Sequence, residues 1–380
     1  MSDKQSPDNP GIYIHIPFCI KKCAYCNFFS VEDLSLQSEY IKALISEIKL
    51  KKSKKKIIDT IYFGGGTPST LCIDSIEQIL SQIYKNFNIK KNPEITMEVN
   101  PGTIDKSYLF NLRSFGINRL NIGVQSFQNN KLKFLGRIHS AELARKAIEY
   151  AFNAGFKNIG IDLIYGVPMQ NKQDWIKDLN IALSYKFHHL SCYMLTLEKN
   201  TPLYENFQNN KMQPLSKDDM SDFFIITSDI LTENKYIHYE ISNFALNIDL
   251  KSKHNQKYWD HTSYFGFGAG AHSFNGSARF WNYLDIKKYI KALKKRNLPI
   301  DYKEVLTKEQ KIMETIMLGL RTKTGIDLKK LNDYSDADFD NILICLEKDN
   351  LGKKENNYFS LTQKGMCYLD DITQSLIDII

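Results

Sequence analysis

The segment HIPFCIKKCAYCNFF places Cys19, Cys23 and Cys26 in a C-x3-C-x2-C pattern. Three soft thiolates in a short loop can wrap one polynuclear metal center. A [4Fe-4S] cluster usually takes four protein cysteines, so three leave one iron open to an exchangeable ligand, and an open iron is where chemistry can happen. The competing arrangement is a zinc site completed by a remote ligand such as His15. Zinc motifs usually come as paired C-x2-C units, and this chain has no second pair. Its seven cysteines are an odd number, and its start, MSDKQSPDNP, has no signal-peptide core. Disulfides are therefore not expected, and the protein reads as cytoplasmic. Cys72, Cys192, Cys345 and Cys367 fall in apolar patterns and are assigned to packing.

The elements that position these cysteines follow from periodicity. Residues 12 to 200 alternate β-rich runs (12–18, 60–64, 95–100, 119–126, 158–166, 189–198) with amphipathic stretches of helical length (35–52, 73–87, 105–115, 140–154, 171–186). Such alternation predicts an α/β fold in which a parallel sheet carries helical crossovers, either open and doubly wound or closed into a full or partial barrel. Ligands then sit at the carboxyl ends of the strands. Cys19, Gly64, Glu98, Gln125 and Asp162 all fall at or near such ends, so they are expected to converge on one mouth.

Three segments are expected: residues 1–235 as the strand–helix array, 236–300 as a covering segment, and 301–380 as a small winged-helix-like α+β domain. The helix of that last domain at 336–348 is acidic (Asp336, Asp338, Asp340, Glu347), which argues against DNA. The net charge of 50 − 43 = +7 is largely lysine, clustered at Lys51, Lys52, Lys54, Lys55 and Lys56 after the helical pattern Ile41, Leu44, Ile45, Ile48. No aromatics interleave with these lysines, so they are read as a solvated helix end and no nucleic-acid partner is expected. No apolar run approaches a membrane span, which leaves at most peripheral membrane contact.

The C-x3-C-x2-C loop after the first strand, with Tyr25 before its last cysteine, resembles the radical S-adenosylmethionine (SAM) superfamily. That resemblance implies a partial (β/α)6, TIM-like barrel in which SAM chelates the open iron and is cleaved to a 5'-deoxyadenosyl radical. The phrases IYIHIPFC, YFGGGTPS, MEVNPG, GVQSF, LGRIHS, DLIYGVP, LTLE, YEISNFA, HNQKYW and GAGAHSF are similar to those of the HemN/HemW group, from about residue 11 to 283 and more weakly beyond. By this resemblance Tyr13 lies against SAM, and Gly64, Gly65, Gly66 and Thr67 form a glycine-rich edge at its amino group. Glycine lets backbone approach a ligand closely, although GGGTP alone would serve equally as a turn. Glu98, Gln125, Arg137, Asp162 and Thr196 resemble further SAM contacts. The alternative for each is a salt bridge or hydrogen bond closing the mouth, and for Arg137 a helix terminus.

The group's coproporphyrinogen III oxidases carry one more cysteine two residues past the third, and an N-terminal segment that helps hold substrate. Here Phe28 stands at that position and about ten residues precede the first strand. The pattern is instead similar to the heme-chaperone branch, which implies heme as a cofactor and a heme-accepting respiratory protein as partner, with a homodimer as the self-association considered. In HNQKYW, His254 is the candidate iron ligand, with Asn255, Tyr258 and Trp259 beside it, because imidazole ligates heme iron and aromatic rings pack on a macrocycle. Outside the family context, His254 reads as a hydrogen-bonded surface-loop residue. Relatives often have a cysteine just before the HN pair; Lys253 stands there here, so covalent attachment through that neighbor is not available. His272 in GAGAHSF is the second heme candidate.

Overall fold

The computed structural model describes residues 9–334 and 338–380. Most of the start read for a leader, and Asp336 of the acidic helix, lie outside the described residues. In chain order the first elements are β1 (Gly11–Ile16), α1 (Gln37–Leu50), β2 (Ser53–Gly65), α2 (Ile73–Asn86), β3 (Phe87–Val99), α3 (Lys106–Ser114), β4 (Arg119–Gln125), α4 (Asn129–Phe134), α5 (Ala141–Asn153) and β5 (Ile159–Tyr165). Then come α6 (Lys172–Ser184), β6 (His189–Met194), α7 (Pro202–Gln208), α8 (Lys217–Glu233), β7 (Ile237–Glu240), β8 (Asn243–Ala245), α9 (Lys253–Trp259), β9 (Tyr264–Phe267), β10 (His272–Phe274), β11 (Ala278–Asn282), α10 (Ile286–Lys294) and β12 (Ile300–Val305). The chain ends in α11 (Lys308–Leu320), β13 (Ile326–Asp327), α12 (Leu328–Tyr334), α13 (Asp340–Lys348), β14 (Gly352–Glu355), β15 (Tyr358–Leu361), α14 (Gln363–Met366) and α15 (Leu369–Ile377).

Contacts group the chain into two compact units. The first is Met1–Ile164, Leu195–Gln213 and Thr262–Glu304; the second is Tyr165–Met194, Pro214–His261 and Val305–Ile380. Both are discontinuous in sequence, whereas the expected boundaries at 235 and 300 follow the chain.

In the first unit β1 to β5 pair successively in parallel, and β1 takes β9 as its other parallel neighbor. Side-chain alternation gives the two faces different chemistry. Ile12, Ile14, Ile61, Phe63, Ile95, Met97, Leu120, Ile122, Ile159 and Ile161 occupy one face and are at most 1% exposed. Each such side chain contributes roughly 1.5–3 kcal/mol by leaving water. The helices bring matching stripes, such as Ile76, Ile79, Leu80 and Ile83 on α2. Caps fix where helices begin: Asp105 accepts from the Tyr108 N–H and Ser140 from the Leu143 N–H. The register places Tyr13, Tyr62, Thr96, Glu98, Asn121, Gly123 and Asp162 on the opposite face. This is the partial-barrel α/β architecture that the resemblance implies, with a polar interior.

In the second unit β6, β8 and β7 form an antiparallel set. A separate sheet of order β13-β15-β14 packs on a core that includes Ile316, Leu320, Leu331, Leu343, Phe359 and Leu361. These are the helices and β-wing expected of the C-terminal domain. The long helix α8 is absent from the periodicity reading because its buried face includes Thr227 and Ser228 beside Phe223, Phe224 and Leu231.

Two expectations are corrected. The lysine run is only partly a solvated helix end: Lys51 is the C-cap of α1 and Lys52 and Lys54 to Lys56 are exposed, but Lys54 to Lys56 lie on β2, and Lys51 is largely covered, paired with Glu47 at 2.6 Å. Cys72 and Cys345 are exposed, so packing does not account for them. Cys72 stands at the N-cap of α2, within 3.1 Å of the Ser75 hydroxyl. Among the described residues no helix is long and apolar enough to cross a membrane.

Candidate metal center and its polar surround

The three cysteines lie on the loop between β1 and α1, and backbone bonds pin that loop. Cys19 N–H donates to Val31 O at 3.0 Å and Val31 N–H to Pro17 O at 2.8 Å, closing its neck. Ala24 N–H donates to Leu135 O at 3.1 Å, and Leu203 N–H donates to Ala24 O at 2.9 Å, so the turn is held from both sides. Gly136 has φ +73° and lies so close to the Ala24 nitrogen that an added Cβ would come within 3.1 Å of it. Polar groups already point at sulfur: Thr67 Oγ1 is 3.4 Å from Cys19 Sγ, and Arg137 Nη1 is 3.2 Å from Cys23 Sγ. Burial pushes the Cys26 thiol up, with the neighboring Cys23 and Cys19 adding to that and the Phe28 N–H opposing it.

Among the described residues, no three His, Cys, Asp or Glu side chains stand close enough to hold one metal ion. His15, the fourth ligand in the zinc alternative, has both ring nitrogens engaged: Nε2 donates to Phe29 O at 2.9 Å, leaving Nδ1 to accept from the Tyr13 hydroxyl at 3.0 Å. Burial lowers its pKa to about 4, in keeping with a neutral ring.

Beside the loop the polar interior is continuous. Tyr62 donates to Glu98 at 2.7 Å, and Asn121 Nδ2 donates to Asp162 Oδ2 at 2.6 Å. Burial and, to a lesser degree, the charge of Asp162 raise Glu98 to about 7 despite the Tyr62 bond. Arg137 reaches Gly123 O with Nη2 at 2.7 Å, while its buried Nε has no hydrogen-bond partner. Gln125 sits at a bulge between β4 and β5 with φ +66°, and its buried Oε1 likewise lacks a partner. A left-handed residue that is not glycine is strained, and such strain gathers at functional sites.

The glycine run is tight against the protein itself. An added Cβ at Gly64 would meet Tyr62, Tyr13 and the Glu98 carboxyl; at Gly65, where φ is +112°, it would come within 2.7 Å of the His15 ring; and at Gly66 it would meet Phe18 O at 2.9 Å. Thus Tyr13, the glycine run, Thr67, Glu98, Gln125, Arg137 and Asp162 gather with the cysteines, while Thr196 is exposed after β6. Tyr62 and Asn121 are polar members of the same face that went unnamed above. Their signal in sequence is a polar residue at period 2 within an apolar strand, as in RLNIGVQ.

The heme candidates fall in two places. His254 lies on α9, is 1% exposed and bonds the Tyr258 hydroxyl through Nε2 at 3.0 Å; burial lowers its pKa to about 3. Asn255 is held at the start of the same helix by the Ser252 hydroxyl at 3.4 Å, and Trp259 lies under the Arg321 guanidinium at 5.1 Å. His272 is exposed on β10. The expected surface loop is therefore a short helix, and its histidine faces inward.

Comparison with known proteins adds to this geometry. Residues 13–182 match the Radical SAM superfamily and residues 306–368 the HemN C-terminal domain. The chain is 36% identical over 334 residues to the heme chaperone HemW of Lactococcus lactis, covering 87% of this chain and 86% of that one. It is 32% identical over 342 residues to the heme chaperone HemW of Bacillus subtilis, covering 89% and 90%. In fold it is similar to the solved structure of coproporphyrinogen III oxidase (HemN) from Escherichia coli, with a TM-score of 0.82 at 22% identity over 99% of this chain and 92% of that one. A cysteine triad on the loop after β1, a polar barrel interior and this extent of shared sequence lead to one assignment: the chain belongs to the HemW family of the radical SAM superfamily.

Proposed function

We propose that this protein holds one [4Fe-4S] cluster on Cys19, Cys23 and Cys26 with SAM at its open iron, binds heme, and passes the heme to an acceptor such as a respiratory enzyme. The observation that carries the reading is the set of three thiols on a pinned loop beside buried polar atoms with unmet hydrogen-bonding capacity. The donor set suits the cluster: soft sulfur ligands, with Thr67 and Arg137 placed to donate hydrogen bonds to Cys19 and Cys23 once these are thiolates. When bound, the cluster supplies one-electron chemistry and one coordination position for an exchangeable ligand.

The chain's own residues do the rest. Tyr13, Gly64, Gly65, Gly66, Thr67, Glu98, Gln125, Arg137, Asp162 and Thr196 are assigned to SAM. Glu98 and Asp162 offer carboxylates to a cationic ligand, whose charge would hold Glu98 ionized where burial alone favors its neutral form. Gln125 Oε1 and Arg137 Nε offer an acceptor and a donor that the protein leaves unused. Phe28, 68% exposed where the resembled oxidases carry a further cysteine, favors carriage of heme over oxidation of coproporphyrinogen. A homodimer and at most peripheral membrane contact complete the proposal.

The test is anaerobic reconstitution, iron and sulfide analysis, hemin titration, and transfer of bound heme to a heme-free acceptor. Iron and sulfide with saturable hemin binding and transfer support the proposal. Zinc in place of iron and sulfide, or turnover of coproporphyrinogen III to protoporphyrinogen, overturns it.

A further inference from the structure

Residues 50–58 and 84–92 hold eight lysines and no Asp or Glu. The first stretch runs from the end of α1 into β2 and the second from the last turn of α2 into β3. Both therefore lie at the amino ends of neighboring parallel strands, away from the carboxyl ends where Gly64 and Glu98 stand. The register accounts for their exposure. Ser53 pairs with Phe87 and Ile57 with Asn88, so residues 54–56 bulge from β2; Ile58 pairs with Ile89 and Thr60 with Glu94, so residues 90–93 bulge from β3. Two of the lysines are committed: Lys51 to Glu47, and Lys54 to the Tyr84 and Phe87 carbonyls at 3.2 and 2.5 Å, which joins the two stretches. The other six, Lys52, Lys55, Lys56, Lys85, Lys90 and Lys91, are exposed, and no hydrogen bond or ion pair among the described residues engages them. Interspersed with them, Leu50, Ile57 and Tyr84 are 40%, 46% and 46% exposed.

We propose that this face docks on an anionic phospholipid surface, with the six lysines meeting lipid phosphates and Ile57 and Tyr84 entering the interface. The placement rests on the peripheral membrane contact in the functional reading above, and on neither its heme nor its cluster. Unpaired lysines on one face are drawn to an anionic leaflet, and an aliphatic and a phenolic side chain among them suit its boundary between headgroups and acyl chains. A protein partner fits less well, because lysine is depleted in protein interfaces. One exposed tyrosine makes no stacking platform for nucleic acid. The lysines of α10 offer no such surface: its apolar stripe of Ile286, Tyr289, Ile290 and Leu293 is buried, and Lys294 pairs with Glu39 at 2.6 Å. Docking at the amino ends of the strands also leaves the cysteine loop, which follows the carboxyl end of β1, uncovered.

The experiment is cosedimentation of the whole chain, without hemin, with vesicles of phosphatidylcholine alone or mixed with phosphatidylglycerol, at low and at physiological salt. Binding is expected only where phosphatidylglycerol is present, and to weaken with salt. Lys55→Gln/Lys56→Gln and Lys90→Gln/Lys91→Gln are each expected to lower it about 25-fold, at roughly fivefold per lysine. Tyr84→Gln is expected to weaken it at both salt concentrations, because apolar insertion is not screened. Lys291→Gln/Lys295→Gln on α10 is the control, expected to bind as wild type does. These side chains are exposed, and an unchanged circular dichroism spectrum verifies the fold of each variant. An equal loss in the α10 variant overturns this face as the site. Absence of vesicle binding at low salt, or capture by polyglutamate or DNA but not by vesicles, overturns the membrane as its partner. Normal hemin uptake alongside either result leaves the heme-carrier reading standing.

Discussion

The buried carboxylate of Glu47 offers a direct measurement of how α1 is tied to the strands beyond β1. Glu47, on α1 and 0% exposed, accepts four bonds: Lys51 Nζ at 2.6 Å and Asn282 Nδ2 at 2.7 Å on Oε1, and the Gly268 N–H at 2.9 Å and the Tyr289 hydroxyl at 2.7 Å on Oε2. These fill the acceptor capacity of a carboxylate. They also tie α1 to the loop between β9 and β10, to β11 and to α10. Glu47→Ala takes an acceptor from the Gly268 N–H, the Tyr289 hydroxyl and Asn282 Nδ2, which keeps only the Gly268 carbonyl at 2.8 Å, and strands a largely covered cation. Breaking a buried ion pair on one side costs about 3–5 kcal/mol, and each unmet donor about 1–3 kcal/mol, without full additivity. Lys51 keeps the Gly266 carbonyl at 3.2 Å and the faces of Phe267 and Phe280, which softens its loss. The expected total is about 5 kcal/mol, comparable with the whole stability of many domains. Denaturant unfolding followed by circular dichroism measures it, and hydrogen exchange at the Gly268 amide localizes it. Adding Lys51→Met removes the stranded cation, so Glu47→Ala/Lys51→Met is expected to be less destabilized than the sum of its singles. A cost below about 1 kcal/mol for Glu47→Ala, or strict additivity, would refute the reasoning.

Glu98 sets a pH dependence. Its folded pKa of about 7 lies above the ordinary 4.5, so its contribution is fully present below 4.5 and is lost as pH rises through 7, by at most about 3 kcal/mol. Unfolding free energy of the SAM-free protein, measured from pH 4.5 to 8, is expected to show this loss and Glu98→Gln to flatten it; a wild-type profile with the same slope as the variant sinks the assignment. The glycine run separates strain from crowding. Gly65→Ala meets φ +112° and a Cβ 2.7 Å from a His15 ring held by two bonds, whereas Gly64→Ala meets only contacts of 3.0 to 3.3 Å at ordinary φ. The backbone alone costs about 1–3 kcal/mol at Gly65, so the melting temperature is expected to fall further for Gly65→Ala, and the reverse order contradicts the geometry.

How much of this was legible depends on how far apart the partners lie. Strand β1 could be read because Ile12, Ile14 and Ile16 alternate with Tyr13 and His15, and the cysteine spacing lies within eight residues. Arg137 was assignable only by resemblance: nothing local says that a residue 114 positions beyond Cys23 donates toward its sulfur. Glu47 was silent for the same reason, since three of its four donors lie more than 200 residues away and α1 alone shows only a glutamate on an amphipathic helix. His254 was misplaced for the opposite reason. Its partner Tyr258 is four residues on, the spacing that makes neighbors on a helix, but HNQKYW reads as a loop until α9 is known to exist. His272 was named as a candidate by resemblance, but its surroundings were not legible, because its stacking on Trp281 depends on an antiparallel register and that of Trp281 on Tyr302 on a third strand. Local spacing thus singled out the cysteine loop, whereas exposure, set by pairings across the sheet, separates His272, open to solvent, from His254, bonded within its own helix.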